Sequence, residues 1–343
     1  MAPWLELPYD ITKVTAEEDK IIKRCLTGYT RPFVKCGKAG YVMPSSFTKC
    51  AETIYNMKVR PDDVWVITFP RSGTTWTQEL VWLAENDLDY ETAKRIPLHE
   101  RFPMLETTTQ IPDIAFELIK MNFMNLSSFQ GLGSAVRESS WETIDKAPSP
   151  RYIKTHLPLS LLPPSLLDTA KVVYVARDPR DVCVSYYFLH KMVVKNLFKI
   201  QFHHFWEAFR RDLLPWTPIV AHTNEAWVKR YHRNLHFVFY EDLIENLPNQ
   251  IRRLCTFLGR KYSDEQIENL AHHLSFDSLR KNKKVNNTIG DDGVQFIRKG
   301  EAGNWKEHFD PKLELEAEEF LIERLRGLDL NYPSISLVEN TYL

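Results

Sequence analysis

VWVITFPRSGTTW, residues 64–76, is the stretch on which the fold turns. Val64 to Phe69 is β-branched and aromatic, with almost no polar break. That is the pattern of a strand buried on both faces of a parallel sheet. Pro70 to Thr75 is a turn, and a helix is expected from about Thr75 to Glu85. Strand, Gly-containing turn and helix N-terminus together make an anion site, because the first-turn N–H groups point outward and the helix dipole adds positive charge. Arg71 adds a full charge, and the hydroxyls of Ser72, Thr74 and Thr75 add donors. A bare Ser-Gly-Thr is more often a capped turn, but the buried strand, the Arg and the paired threonines favour the anion reading. A Walker A loop is excluded, because GxxxxGK[ST] is absent and the cation precedes the glycine.

Working outward, three more strands of the same kind appear: RYIKTH at 151–156, KVVYVA at 171–176 and HFVFY at 236–240. Helical patterns follow or separate them near 179–190, 203–213, 221–232 and 247–258, and again at 312–326. Alternation of this kind predicts an α/β fold: one domain over residues 1–343, with a central, mostly parallel sheet flanked by helices on both faces. Ligands in such sheets bind beyond the carboxyl ends of the strands. Thr15 and Glu18 have capping-box spacing, so a helix opens there within an N-terminal arm of about 30 residues. Residues 31–46, with Gly37, Gly40 and two prolines, and the polar segment 281–304 read as loops. The irregular tract 86–150 is expected to carry substrate-pocket loops.

The chain has 343 residues, with 44 Lys plus Arg against 45 Asp plus Glu, a net charge of −1. That balance argues against a nucleic-acid partner, which calls for a basic excess. The five cysteines are odd in number, scattered and without a CxxC, so neither a disulfide framework nor a cysteine-rich zinc site is expected. No segment has the length and apolarity of a membrane span, and the N-terminus lacks signal-peptide character. The expectation is a cytoplasmic protein acting on a small molecule.

A second anion site is expected in KVVYVARDPRDVCVSYY, residues 171–187. Arg177 ends the strand, Asp178 and Pro179 suit a helix start, and Ser185 lies two turns on. Arg177 and Ser185 could meet at one phosphate, and an Arg fork suits that ligand. Arg180 and Asp181 read as structural ion partners. In RYIKTHLP, Lys154 and His156 share a strand face, with Thr155 opposite. A histidine there can act as a base at neutral pH. The pairs His203-His204 and His272-His273 lack the surrounding pattern of a metal site, so no metal is expected.

TFPRSGTTW resembles the 5′-phosphosulfate loop of the cytosolic sulfotransferases, and the other segments agree in the family's order. KTHLP resembles the catalytic segment, which implies His156 as base. The 177–185 stretch resembles the segment that holds the 3′-phosphate. Tyr240 matches a position near the adenine, and Ser275 and Phe276 match a TSF-type segment in which Leu274 replaces the usual Thr. FIRKGEAGNWK, residues 296–306, resembles the family's FxRKGxxGxW element, implying nucleotide-binding roles for Phe296, Arg298, Lys299 and Gly300; Trp76 closes the first loop.

The resemblance implies transfer of a sulfuryl group from 3′-phosphoadenylyl sulfate (PAPS) to the hydroxyl of a small lipophilic or phenolic acceptor. The second product is adenosine 3′,5′-bisphosphate (PAP). His156 would take the acceptor proton, while Lys154 and Arg71 stabilise charge. Arg71 stands where the family loop usually has Lys, a feature of an insect-type branch that includes a retinol dehydratase. An alternative is therefore dehydration through a transient sulfate ester; a nucleotide kinase is a more remote one. The family's KxxxTVxxxE pairing element is broken, with Asp310, Pro311 and Leu315 following Lys306, so a monomer or a dimer of another kind is expected.

Overall fold

The computed structural model describes residues 4–26, 31–110, 139–193, 200–286, 297 and 299–335. Its centre is a four-stranded parallel sheet ordered β5-β4-β6-β7. The strands are β4 (Val64–Thr68), β5 (Tyr152–Thr155), β6 (Lys171–Ala176) and β7 (Leu235–Phe239). A second, antiparallel sheet joins β1 (Ile11–Lys13), β2 (Phe33–Cys36) and β3 (Tyr41–Pro44).

Every residue of β4 is buried, as its uninterrupted apolar run requires. Successive side chains point to opposite faces. Val64 and Val66 enter a core with Val173 and Val175 and with residues of the Thr74–Glu85, Leu247–Leu258 and Asp264–His273 helices. Trp65 and Ile67 enter the larger core on the other face with Val172 and Tyr174, where the Phe202–Arg210, Ile219–Trp227 and Pro311–Leu325 helices also pack. Full burial of side chains such as these contributes about 1.5–3 kcal/mol each. Two covered faces make this a three-layer α/β structure.

The register then places the site. Ile67 pairs with Thr155 on one side and Tyr174 on the other, and Ala176 pairs with Phe239. The residues just past these rungs, namely Phe69, His156, Arg177 and Tyr240, therefore leave the sheet along one edge. Parallel strands ending in register bring together four sequence segments that are far apart in the chain.

Two local expectations change. Residues 31–46 form a hairpin, β2–β3, rather than a loop. FVKC and YVMP are too short for periodicity to show, and the two glycines close the turn with φ of 72° and 73°, the left-handed backbone glycine tolerates. Tyr240 is not a strand residue but opens the Tyr240–Glu245 helix. The helix at Thr15 is as expected: Ala16–Cys25, with a complete Thr15–Glu18 capping box and with Ile22 and Cys25 fully buried. All five cysteines are free thiols and buried. No described helix is long and apolar enough to cross a membrane.

Candidate active site

A cleft opens at the carboxyl edge of the parallel sheet. Its floor is the turn after β4. Arg71 adopts φ 72° and Gly73 φ 100°, and the helix begins at Thr74. A Cβ on Gly73 would lie 2.7 Å from the Tyr240 ring, so only glycine fits there. Arg71, Gly73, Thr74, Thr75 and Trp76 line the cleft; Ser72 lies buried just beneath. Ser72 Oγ, Trp76 Nε1 and Arg177 Nε are buried polar atoms without a hydrogen-bond partner. Unpaired buried polar groups are costly, and donors gathered at a helix N-terminus suit an anion. The loop therefore fits a phosphate or phosphosulfate group.

Arg177 sits across from this loop and ties it to the C-terminal one. Its guanidinium donates to the Arg71 carbonyl at 3.2 Å and to the Glu301 carbonyl at 2.8 Å. It also lies 4.2 Å over the Tyr240 ring and 3.6 Å from Asp181. Arg71 Nε donates to Ser185 Oγ at 2.9 Å, so the two expected anion sites adjoin. Asp178 caps the Pro179–Val193 helix, accepting from the Arg180 N–H at 2.8 Å and pairing with its guanidinium at 2.7 Å. Asp181 accepts from Gly303 N–H at 2.7 Å and Trp305 N–H at 2.9 Å. It anchors the loop that carries Lys299 and Gly300.

Lys154 and His156 line the same cleft, on the wall made by β5. The ring of His156 has a defined tautomer. Its Nδ1 lies 2.8 Å from the Thr68 carbonyl, an obligate acceptor, so Nδ1 carries the proton and Nε2 the lone pair. Burial and the Lys154 charge hold His156 well below the usual imidazole range, so it is neutral at pH 7. Trp216 packs edge-on at 5.3 Å, and His222 Nε2–H donates to the His156 carbonyl at 2.9 Å. Burial brings the half-buried Lys154 ammonium down to about 8, with Glu106 opposing that shift and Arg71 adding to it.

The sequence reading did not include Glu106. It is fully buried, accepting from the His156 N–H and from the Thr155 hydroxyl, each at 2.7 Å. Its only signal in the chain is a charged residue in an apolar context, too common to single out.

The cleft is also lined by the apolar and aromatic side chains of Trp76, Tyr240, Leu274, Phe276, Leu279 and Ile297. A Cβ on Gly300, at φ 71°, would lie 2.1 Å from the Phe276 ring. Ser275 does not line the cleft: it caps the Phe276–Lys281 helix, accepting from the Ser278 N–H. Lys299 lines the cleft and pairs with Glu307. Phe296 and Arg298 lie outside the described residues, as does 111–138 of the expected pocket tract.

Elsewhere, His273 Nε2 lies 3.0 Å from the buried Glu79, which also pairs with Arg101. Among the described residues no three His, Cys, Asp or Glu side chains cluster as metal ligands. Asp310 and Pro311, which interrupt the pairing element, cap and open the Pro311–Leu325 helix.

Residues 61–329 match the family described as the sulfotransferase domain. Sulfotransferase 1E1 of Bos taurus is 32% identical over 304 residues, covering 86% of this chain and 95% of that protein. Sulfotransferase 1A1 of Rattus norvegicus is 35% identical over 269 residues, covering 76% and 84%. Among solved structures, retinol dehydratase in complex with androsterone and PAP is 41% identical with a TM-score of 0.89, covering 96% of this chain and all of that one. Retinol dehydratase with retinol and PAP gives 41% and 0.88 over the same shares. With two adjoining loops suited to anions at one cleft and these relatives, the chain belongs to the sulfotransferase family and uses PAPS as its sulfuryl donor.

Proposed function

We propose that the protein transfers the sulfuryl group of PAPS directly to the hydroxyl of a small lipophilic or phenolic acceptor, with His156 as general base. The observation that carries this reading is the tautomer of His156. Its Nδ1–H is committed to the Thr68 carbonyl, and its neutral Nε2 belongs to a residue lining the cleft beside Lys154. Nε2 accepts the acceptor's hydroxyl proton as the acceptor oxygen bonds to sulfur and the bond from sulfur to the bridging phosphate oxygen breaks. Arg71, Lys154 and the N–H groups of residues 72–75 hold the charge on the departing phosphate and the transferring oxygens. Positioning and fixed charge dominate such group transfers.

The remaining cofactor assignments follow the cleft. Arg71, Ser72, Gly73, Thr74 and Thr75 take the 5′ end, Arg177 and Ser185 the 3′-phosphate, and Trp76, Tyr240 and Phe276 the purine, with Lys299 and Gly300 closing over it. The expected acceptor is neutral, the chain acts in the cytoplasm, and it does so as a monomer or through an interface other than the family's KxxxTVxxxE element.

A second reading is favoured by the match to retinol dehydratase over 96% of the chain. With an allylic alcohol the sulfate ester would then eliminate to a polyene. Both readings share the transfer step. The test is product analysis with labelled PAPS, a phenol and an allylic alcohol, using the native enzyme and His156→Ala. Loss of transfer with PAP binding intact supports the base assignment; transfer undiminished in His156→Ala refutes it. A diene product selects the second reading.

A further inference from the structure

His156 lies one residue beyond the ladder that holds β5. The register of β5 on β4 ends with Thr155 opposite Ile67, and β5 is an edge strand of the parallel sheet. The peptide groups of His156 therefore have no strand partner. The residue is buried, and buried backbone groups need one. Side chains supply it at both ends. The His156 N–H donates to Glu106 Oε1 at 2.7 Å, and the His156 carbonyl accepts from His222 Nε2 at 2.9 Å. With the ring bond from Nδ1 to the Thr68 carbonyl at 2.8 Å, the residue is held by its N–H, its C=O and its imidazole.

The His222 end of this clamp is itself fixed. His222 stands on the Ile219–Trp227 helix, fully buried, and it does not line the cleft. Its ring meets Phe69 edge-on at 5.8 Å and Tyr41 edge-on at 6.2 Å. A carbonyl can only accept, so the bond to His156 requires a proton on Nε2. Burial lowers His222 to about 4, so the ring is neutral and carries no second proton. Nδ1 is then an acceptor, and the hydroxyl of Tyr174, fully buried in β6, donates to it at 2.7 Å. Donation runs one way, from the Tyr174 hydroxyl through the His222 ring to the His156 carbonyl.

We propose that His222 is a positioning residue for His156: oriented by Tyr174, it fixes the His156 carbonyl so that the imidazole presents Nε2 to the acceptor hydroxyl in one orientation. The inference rests on the role proposed above for His156 and explains how a base placed past the end of an edge strand keeps its aim. The ring hangs from a peptide that the sheet does not hold, and a misplacement of about 1 Å costs about 100-fold in rate. Loss of the His222 donor frees the carbonyl end of that peptide. The bonds that tie Arg177 and Asp181 to the nucleotide loops do not involve His222, so nucleotide binding is left in place.

The test compares two amides. His222→Gln puts its side-chain nitrogen about where Nε2 stands, so it still donates to the His156 carbonyl. His222→Asn ends near the Nδ1 position and falls short of it. In single-turnover assays His222→Gln should keep its rate within about threefold of native, while His222→Asn should lose about 10- to 100-fold. PAP affinity should stay near native in both. Equal losses in the two variants, or a loss of PAP affinity with the rate unchanged, would give His222 a structural role alone and overturn the proposal. Imidazole NMR reads the clamp without catalysis. With isotope-labelled histidine, the Nδ1–H signal of His156 is identified by its absence in His156→Ala. It should exchange slowly with solvent in the native enzyme and in His222→Gln, and at least about tenfold faster in His222→Asn. Unchanged exchange overturns the proposal. Faster exchange in His222→Asn, in an enzyme whose His156→Ala variant transfers normally, upholds the clamp and overturns only the assignment of His156 as base. Should His222→Asn fail to bind PAP, the native spectrum decides: a His222 ring protonated at Nε2 supports the proposal, and one protonated at Nδ1 overturns it.

Discussion

Gly300→Ala isolates the closest approach in the cleft. A methyl group there would sit 2.1 Å from Phe276 Cδ2 and 2.7 Å from Cε2 of the same ring. The backbone is at φ 71°, where an L-residue costs about 1–2 kcal/mol relative to glycine. Forcing extra volume into a packed contact adds about 1–3 kcal/mol. The sum, about 2–5 kcal/mol, falls on a loop held to the body by Asp181 and by the Arg177 bond to the Glu301 carbonyl. Release of that loop relieves the clash without unfolding the sheet, since local segments open at less than the global free energy. The cost therefore appears in nucleotide binding. At about 1.4 kcal/mol per decade, PAP affinity should fall at least about thirtyfold by isothermal titration, with a small shift in Tm. A PAP affinity within about threefold of the native value would refute the reasoning that loop and Phe276 close together over the nucleotide.

His156→Asn should lower kcat about 10²- to 10⁴-fold in a single-turnover assay while PAP affinity stays near native, the usual range for a lost general base. The native acid limb of kcat/KM should lie well below the ordinary imidazole value of 6.5: a group whose pKa is depressed stays in its basic form until lower pH, and His156 is depressed by burial and by Lys154. A limb near 6.5 would place the titration elsewhere. Arg71→Lys should retain far more activity than Arg71→Ala, since either cation can hold charge beside the phosphate loop; equal losses would deny Arg71 an electrostatic role. Asp181→Asn should weaken PAP binding about tenfold by loosening its grip on Gly303 and Trp305, a charge-assisted bond being worth roughly twice a neutral one.

The parallel sheet was legible because its strands are buried on both faces and so lack the polar alternation that blurs edge strands. β4 and β6 could be read almost to the residue. The β2–β3 hairpin was not, since four-residue strands carry too little periodicity and the glycines at 37 and 40 look alike in a loop and in a tight turn. The site divides in the same way. Arg71, just past a strand, and His156 and Arg177 at strand ends were legible as cleft residues by position, because the strand ends of an α/β sheet are where ligands bind. Glu106 acts from a segment with no element signature, through bonds to a strand 49 and 50 residues away in sequence, and only the fold reveals them. Ser275 shows the converse: a residue matched by motif turns out to cap a helix instead of lining the cleft. Tyr240 was expected to stack on a base, yet it also supports the loop glycine from below and carries Arg177 on its ring.

A crystal structure with PAP and an acceptor alcohol bears most directly on the central claim, that one cleft gathers both anion loops around a single neutral imidazole. The account predicts the 5′-phosphate on the N–H groups of residues 72–75, the 3′-phosphate at Arg177, and the acceptor hydroxyl within hydrogen-bond distance of His156 Nε2. A nucleotide bound with its phosphates away from Arg177, or an acceptor oxygen out of reach of Nε2, would contradict it.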